Sequence, residues 1–385
     1  MRILAIETSC DETAVALLAF TEKSDATHYR ILAEKLYSQS DLHSAYGGVY
    51  PSLAKREHQK ILPILTKELL AEQSLLQKDP SVQITNTIEH VCVRGPAMLA
   101  AIKHHFSETR PTTIDALAVT HGPGLAPALW VGVNFVRVLS LLWDIPIIAV
   151  NHMEGHIVSA LITDTALITP RYPILALLVS GGHTELVLAQ QPGSYQKIGQ
   201  TLDDAAGEAF DKIARLLGLP YPGGPAVARL AKWAREQHLT APVTLPRPML
   251  RDNTLDFSYA GLKTAVRVFC EKHPNLTDSE KAALAMECED AIVETLLKKT
   301  QRALEQHHPH SIIVGGGVSA NNHLREAFRA LVAQYPNTTL HLAHRAHATD
   351  NAVMIALTAY SNRTTVDSET LAADANLSFP CGAHE

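Results

Sequence analysis

Cysteine is scarce in this sequence and never paired. Cys10, Cys92, Cys270, Cys288 and Cys381 are odd in number, widely scattered and form no CxxC pair. That excludes a disulfide scaffold and a cysteine-rich zinc site, and it suits a reducing compartment. An excess of basic residues is also missing. The net charge of −6 excludes the strongly basic class of nucleic-acid binder, while leaving room for a local basic patch. No apolar run is long enough and clean enough to span a membrane. The most apolar window, "ALWVGVNFVRVLSLLWDIPIIAV", is broken by Asn134, Arg137, Asp144 and Pro146, so it reads as a buried helix followed by a strand. The opening "MRILAIETSC" stops being apolar at Glu7, too early for a signal peptide. Together these absences predict a cytoplasmic protein. What the chain does have is bulk: 385 residues at 46% apolar content suffice for two domains with full cores.

Two stretches resemble each other. "ILAIETSCDETAVALL" starts at Ile3 and "ILALLVSGGHTELVLA" at Ile174, with Ser9 matching Ser180 and Thr13 matching Thr184. Each reads as a strand, a tight polar turn and a return strand. Further strands follow, "IDALAVT" in the first half and "SIIVGGG" in the second, interleaved with helices. The pattern predicts an α/β protein of two duplicated domains, with a ligand held in a cleft between them. The predicted division is 1–150, 151–365 and a polar tail over 366–385.

Glycine turns concentrate in the second half: Ser180, Gly181 and Gly182 at the hairpin bend, Gly223 and Gly224 ahead of a helix, and the triplet in "SIIVGGGVSANNHL" ahead of a helix starting near Ser319 or Asn321. Glycines let backbone approach a ligand, and helix N-termini offer free N–H groups to an anion. One such turn merely reverses a chain; three favour a nucleotide-shaped pocket. Between them lies "TLDDAAGEAFDKIARLLGL", whose Asp203, Asp204 and Glu208 suit the start of a helix without any function. Asp211 stands apart as a carboxylate that can accept hydrogen bonds from a ribose or an amino-acid hydroxyl.

"NHMEGHIVSALI" sets His152 and His156 four residues apart, on one face of a helix. With 20 histidines, about one such pair arises by chance, so the pair alone carries nothing. Context adds weight: it follows the apolar strand "IPIIAV", and Asp350 stands at the start of another apolar helix. Two imidazoles and a carboxylate with open positions suit catalytic zinc or ferrous iron. A protease helix of the HExxH type needs glutamate directly after the first histidine, where Met153 stands. A kinase needs carboxylate-held magnesium, and histidines are poor magnesium ligands. The residues therefore point to a Lewis-acid metal beside a nucleotide pocket. An ATP-binding kinase or ATPase remains the main alternative.

"IETSCDET", "HGPGLAPALWVG", "NHMEGH", "LLVSGGHTEL", "DDAAGEAFDKIARLLGLPYPGGP", "FSYAGLKTAV", "GGGVSAN" and "TDNAVMIA" occur in that order. The sequence closely resembles the TsaD family of tRNA threonylcarbamoyladenosine synthases, over roughly residues 1–72 and 114–360. The resemblance implies two duplicated actin/Hsp70/sugar-kinase-like (ASKHA) domains. It implies transfer of a threonylcarbamoyl group from threonylcarbamoyl-AMP to N6 of the adenosine beside the anticodon, in tRNAs reading codons that begin with A. One divalent metal per subunit, Fe²⁺ or Zn²⁺, is implied at His152, His156 and Asp350. Leu178, Val179, Ser180, Gly181, Gly182, Asp211, Gly224 and Asn321 match substrate-binding positions; Asp11 and Glu12 match acidic residues near the reacting centre. A TsaB-like paralogue and a TsaE-like ATPase are implied as partners. Three features depart from the family: an apparent insertion over about 73–113, Asn151 where the family has histidine, and an acidic tail without the usual basic ending. Arg247, Arg251, Lys298, Lys299, Arg302 and Arg325 are candidate tRNA contacts, each weighed against an ordinary solvated charge.

Overall fold

The computed structural model describes residues 1–22, 27–93 and 95–379; Cys381 and the end of the tail lie outside them. The chain divides into two compact units. The first comprises Met1–Thr169 and Asp350–Ser378. Its sheet begins with β1 (Arg2–Glu7), β2 (Glu12–Glu22) and β3 (Thr27–Ser38), an antiparallel meander. A separate ribbon pairs β4 (Leu76–Lys78) with β5 (Thr109–Pro111). Strands β6 (Ala116–Gly122) and β7 (Ile147–Asn151) then add in parallel beside β1. Two-residue strands β8 (Ala166–Leu167) and β14 (Thr365–Val366) close the edges, giving the order β14-β7-β6-β1-β2-β3-β8.

The run Ile3–Ile6 is apolar at every position because both faces of this sheet are covered. Leu4 and Ile6 join a core with helices α2 (Pro51–Glu72) and α5 (Ala126–Trp143). Ile3 and Ala5 face the opposite core, filled by α12 (Ala352–Asn362). Helix α5 has the length and composition of a membrane span, yet it packs against β6 with Val131, Phe135, Val138 and Leu142 buried.

The second unit comprises Pro170–Thr349 and the segment from Phe379. Its sheet has β9 (Ile174–Val179), β10 (Thr184–Gln191) and β11 (Ser194–Gln200) as an antiparallel meander, with β12 (Ser311–Gly315) and β13 (Thr339–Leu342) parallel beside β9. The order β11-β10-β9-β12-β13 repeats the connectivity of β3-β2-β1-β6-β7. The duplication expected from the two Ile-Leu-Ala hairpins is therefore a duplication of sheet topology. Helices α7 (Ala206–Leu216), α8 (Gly223–Glu236), α9 (Ala260–Lys272), α10 (Asp278–His307) and α11 (Asn322–Val332) belong to this unit, and the buried faces of α7, α10 and α11 supply much of its core.

The division differs from the one expected at residue 150. Residues 151–169 stay with the first unit because β7 pairs with β6 and α6 (His152–Ser159) packs on α12. Residues 350–378 return to it because α12 fills one face of its sheet. The stretch 73–113, read from the sequence as an apparent insertion, holds β4, α3 (Asn86–Val91), α4 (Pro96–Phe106) and β5; its Ile88, Met98, Ile102 and Phe106 join the first unit's core.

Candidate metal centre

Helix α6 starts immediately after β7, and Asn151 caps it: its side-chain oxygen accepts from the N–H groups of Met153 and Glu154. Every residue from His152 to Ser159 is buried. His152 and His156 lie one turn apart, their rings edge to face with centroids 4.7 Å apart. Asp350 reaches them from the start of the segment leading into α12, whose cap is Asn351. Asp350 Oδ1 lies 3.4 Å from His152 Nε2 and 3.2 Å from His156 Nε2. Donors bonded at about 2.0–2.2 Å to one tetrahedral ion sit about 3.3–3.6 Å apart, so these separations are close to those that co-ligands would have. One ligand atom from each residue lies within 4.8 Å of the others.

Burial bears on whether the group could hold a metal. His156 is fully buried, yet among the described residues neither of its ring nitrogens makes a hydrogen bond. An unsatisfied buried polar group costs about 1–3 kcal/mol, and a coordinated cation removes that cost. The residues present therefore fit a divalent metal with two nitrogen donors and one oxygen donor.

A further carboxylate supports the set. Glu7 ends β1 fully buried, and its Oε2 lies 3.1 Å from His152 Nδ1 while accepting from the Thr120 hydroxyl at 2.5 Å. Ser9 Oγ is 3.2 Å from the same nitrogen. A carboxylate on the far nitrogen fixes the ring's orientation and leaves Nε2 for a ligand. Burial opposes charge on His152, but Asp350 and Glu7 on its two sides prevail and hold its pKa well above the ordinary imidazole value. Burial likewise pushes Glu7 up, and His152 reverses the sign, so Glu7 titrates below the ordinary carboxylate range. In the sequence Glu7 showed only as the end of an apolar run. Its role depends on β1 lying next to β6, which no local pattern announces.

Asp11 and Glu12 occupy the turn between β1 and β2 and the first residue of β2. Asp11 is 8% exposed; Glu12 is partly buried, with Ser38 Oγ 3.5 Å from its carboxylate. Burial, then the neighbouring charges of Asp11 and Asp350, push Glu12 well above the usual carboxylate range.

The sequence model of the family described as "TsaD: tRNA N6-adenosine threonylcarbamoyltransferase" matches residues 30–82 and 90–357. The chain belongs to that family. A threonylcarbamoyltransferase of Acidovorax sp. (strain JS42) is 42% identical over 93% of this chain and 90% of its own length. The counterpart from Ralstonia pickettii (strain 12J) is 43% identical over 92% and 90%. Among solved structures, full-length HypF in its phosphate- and nucleotide-bound form shares the fold, with a TM-score of 0.50 at 10% identity over 94% of this chain and 55% of that one. The family match also narrows the apparent insertion, since within 73–113 only 83–89 fall outside it.

In this threonylcarbamoyltransferase the second unit gathers the glycine turns around the end of β9. A side chain at Gly316, which has φ +86°, would meet the Val179 carbonyl at 2.5 Å, and one at Gly207 would meet the Ser180 carbonyl at 2.6 Å. Leu178 and Val179 are buried in the strand; Gly181 and Gly182 are exposed, with open space where a Cβ would stand. The Ser180 hydroxyl accepts from the N–H groups of Gly182 and His183, which shapes the bend. Asp211 and Asn321 do structural work as well. Asp211 Oδ1 accepts from the Gly223 N–H at 2.7 Å, at the start of α8, beside Gly224. Asn321 caps α11 through Leu324 N–H and donates to Glu289. Asp203 and Asp204 precede α7 rather than lying on it: Asp203 accepts from the N–H groups of Tyr259 and Ala260 opening α9, and Asp204 pairs with Lys212.

The candidate tRNA cations mostly face inward. Arg247 pairs with Glu287 and Glu294. Lys299 and Arg302 donate to main-chain carbonyls between Leu250 and Thr254. Arg325 is 8% exposed and donates to the carbonyls of Ser319 and Ala343.

Proposed function

We propose that this chain transfers a threonylcarbamoyl group from threonylcarbamoyl-AMP to N6 of the adenosine adjacent to the anticodon, in tRNAs reading ANN codons. The family membership supports the reaction, and the observation that carries the site is the buried, hydrogen-bond-free imidazole of His156 beside Asp350. His152, His156 and Asp350 would hold one divalent ion, Fe²⁺ or Zn²⁺. Bound there, such an ion supplies positive charge that stabilises a developing carbamoyl oxyanion. Leu178, Val179, Ser180, Gly181, Gly182, Asp211, Gly224 and Asn321 would bind the adenylate. Exposed glycine backbone at 181 and 182 suits close approach of a ligand.

The donor is a mixed carbamic–phosphoric anhydride, already activated, so positioning and charge stabilisation count for more than a strong nucleophile. The adenine N6 attacks the carbamoyl carbon, a C–N bond forms, the C–O bond to phosphate breaks, and AMP leaves with the bonding pair. The amine gives up one proton, to Glu12 or Asp11. Glu12 suits the task, because burial and the neighbouring charges raise its pKa and make it a stronger base than an ordinary carboxylate. A TsaB-like paralogue, a TsaE-like ATPase and a cytoplasmic setting complete the reading.

The test is nucleoside mass spectrometry after incubation with threonine, bicarbonate, ATP, an adenylate-forming enzyme, the partner proteins and tRNA. Wild type should form threonylcarbamoyladenosine; chelation and Asp350→Ala should abolish it, with zinc or iron restoring the chelated wild type only. Asp11→Ala and Glu12→Ala should retain adenylate binding while transfer falls. Failure of wild type to form the modified base with every partner present rejects the reading.

A further inference from the structure

Behind the turn that carries Asp11 and Glu12 runs a line of polar side chains for which the reaction above has no use. Thr13, Gln39, His43 and His58 are all fully buried. His43 Nδ1 accepts the Tyr50 N–H at 3.2 Å, and His43 Nε2 meets Gln39 Oε1 at 3.3 Å. Gln39 Nε2 meets His58 Nδ1 at 3.3 Å, where the Thr13 hydroxyl also arrives at 2.7 Å. His58 Nε2 ends the line 2.9 Å from the Cys10 carbonyl.

The two ends fix its polarity. A main-chain N–H only donates, so His43 carries its proton on Nε2. A carbonyl only accepts, so His58 carries its proton on Nε2 as well. Gln39 then has one orientation that serves both rings, oxygen toward His43 and nitrogen toward His58. Protonating His58 would turn Nδ1 into a donor facing two donors, and burial opposes that charge on both rings.

The line terminates where the chemistry needs rigidity. His58 holds the carbonyl of Cys10, hence the peptide plane before Asp11. The main-chain N–H of Gln39 donates to the Asp11 carbonyl at 3.1 Å, which holds the plane after it. Thr13, the residue after Glu12, is held through its hydroxyl. We propose that His58, oriented by Gln39 and His43, is a positioning residue that sets the acidic turn for proton transfer from the adenine amine. The proposal rests on the role given above to Asp11 and Glu12.

The test uses the full-length protein with its partners. His58→Leu removes both contacts, while His58→Gln keeps an N–H donor for the Cys10 carbonyl. In His58→Leu, kcat should fall on the order of a hundredfold, the cost of an ångström-scale misplacement. Its KM for the adenylate should stay within about twofold, with bound metal unchanged, and His58→Gln should recover part of the rate. If His58→Leu does not fold, nitrogen-15 NMR of histidine-labelled wild type still decides: both rings should be neutral Nε2–H tautomers, and an Nδ1–H form at His58 overturns the proposal. Slow Asp11→Asn and Glu12→Gln variants beside a fully active His58→Leu overturn positioning alone. Full activity in both carboxylate variants sinks the carboxylate reading and this proposal with it.

Discussion

Two fully buried histidines in the first unit show how much one residue's surroundings decide. His58 has a hydrogen-bond partner at each nitrogen; among the described residues His156 has none at either, with Asp350 3.2 Å from its Nε2. The satisfied ring is held by the scaffold, and the orphaned one is left free to take a ligand. Burial lowers the His58 pKa from 6.5, outweighing the Cys10 hydrogen bond and the charges of Glu7 and Asp11. Below that value the unfolded chain binds a proton that the native ring refuses. The stability His58 contributes is therefore complete above about pH 6.5 and is lost as the pH falls, by up to about 1.4 kcal/mol per unit for one proton. Urea unfolding of wild type and His58→Gln should show a stability difference that shrinks from about pH 7.5 to about pH 5.5. A difference of equal size at both would show that the native ring titrates normally. Neither histidine's environment is legible from spacing. The i,i+4 pair pointed to His156, and nothing local pointed to His58, because its partners sit 19, 45 and 48 residues away.

At the scale of elements, the hairpins, the helix–strand pair across 126–151 and the helix after the third glycine turn all follow from hydrophobic runs and turn residues. Those signals are local, so the sequence carries them. What a polar residue at an element's end does is settled by which neighbour arrives. Asp211 and Asn321, expected as ligand contacts, also fix the starts of α8 and α11. The glycines separate the same two roles experimentally. Gly316 has a left-handed φ of +86° and a site where a Cβ would press on the Val179 carbonyl, so Gly316→Ala is both strained and blocked. It should destabilise the second unit by more than the roughly 1–2 kcal/mol of the conformation alone. Gly181 has open space around its missing Cβ. Gly181→Ala should keep the wild-type melting temperature and weaken adenylate binding, measured by calorimetry with an adenylate analogue. Unchanged affinity would remove the β9–β10 bend from the adenylate site.

At the scale of the whole molecule, the consequential fact is the return of 350–378 to the first unit. Hydropathy could not show it, since α12 is apolar enough to serve either core. The second unit's core draws on residues from Leu175 to Val332 without leaving its own stretch of chain. The first unit closes only with α12, which buries Val353, Met354, Ile355 and Leu357 against Ile3, Ala5 and Ile148. At about 1.5–3 kcal/mol per large apolar side chain, those four represent on the order of 10 kcal/mol, as much as a domain's entire net stability. Truncation after Thr349 should therefore leave the first unit without a stable fold, and without Asp350 as well. A fragment of residues 170–349 keeps its five-stranded sheet and its core, and should unfold in one cooperative urea transition with native-like far-UV circular dichroism. If the 1–349 protein instead resists proteolysis over 1–169 as well as the full chain does, α12 is a covering rather than a core element, and Asp350 just ahead of it would sit on a separable arm.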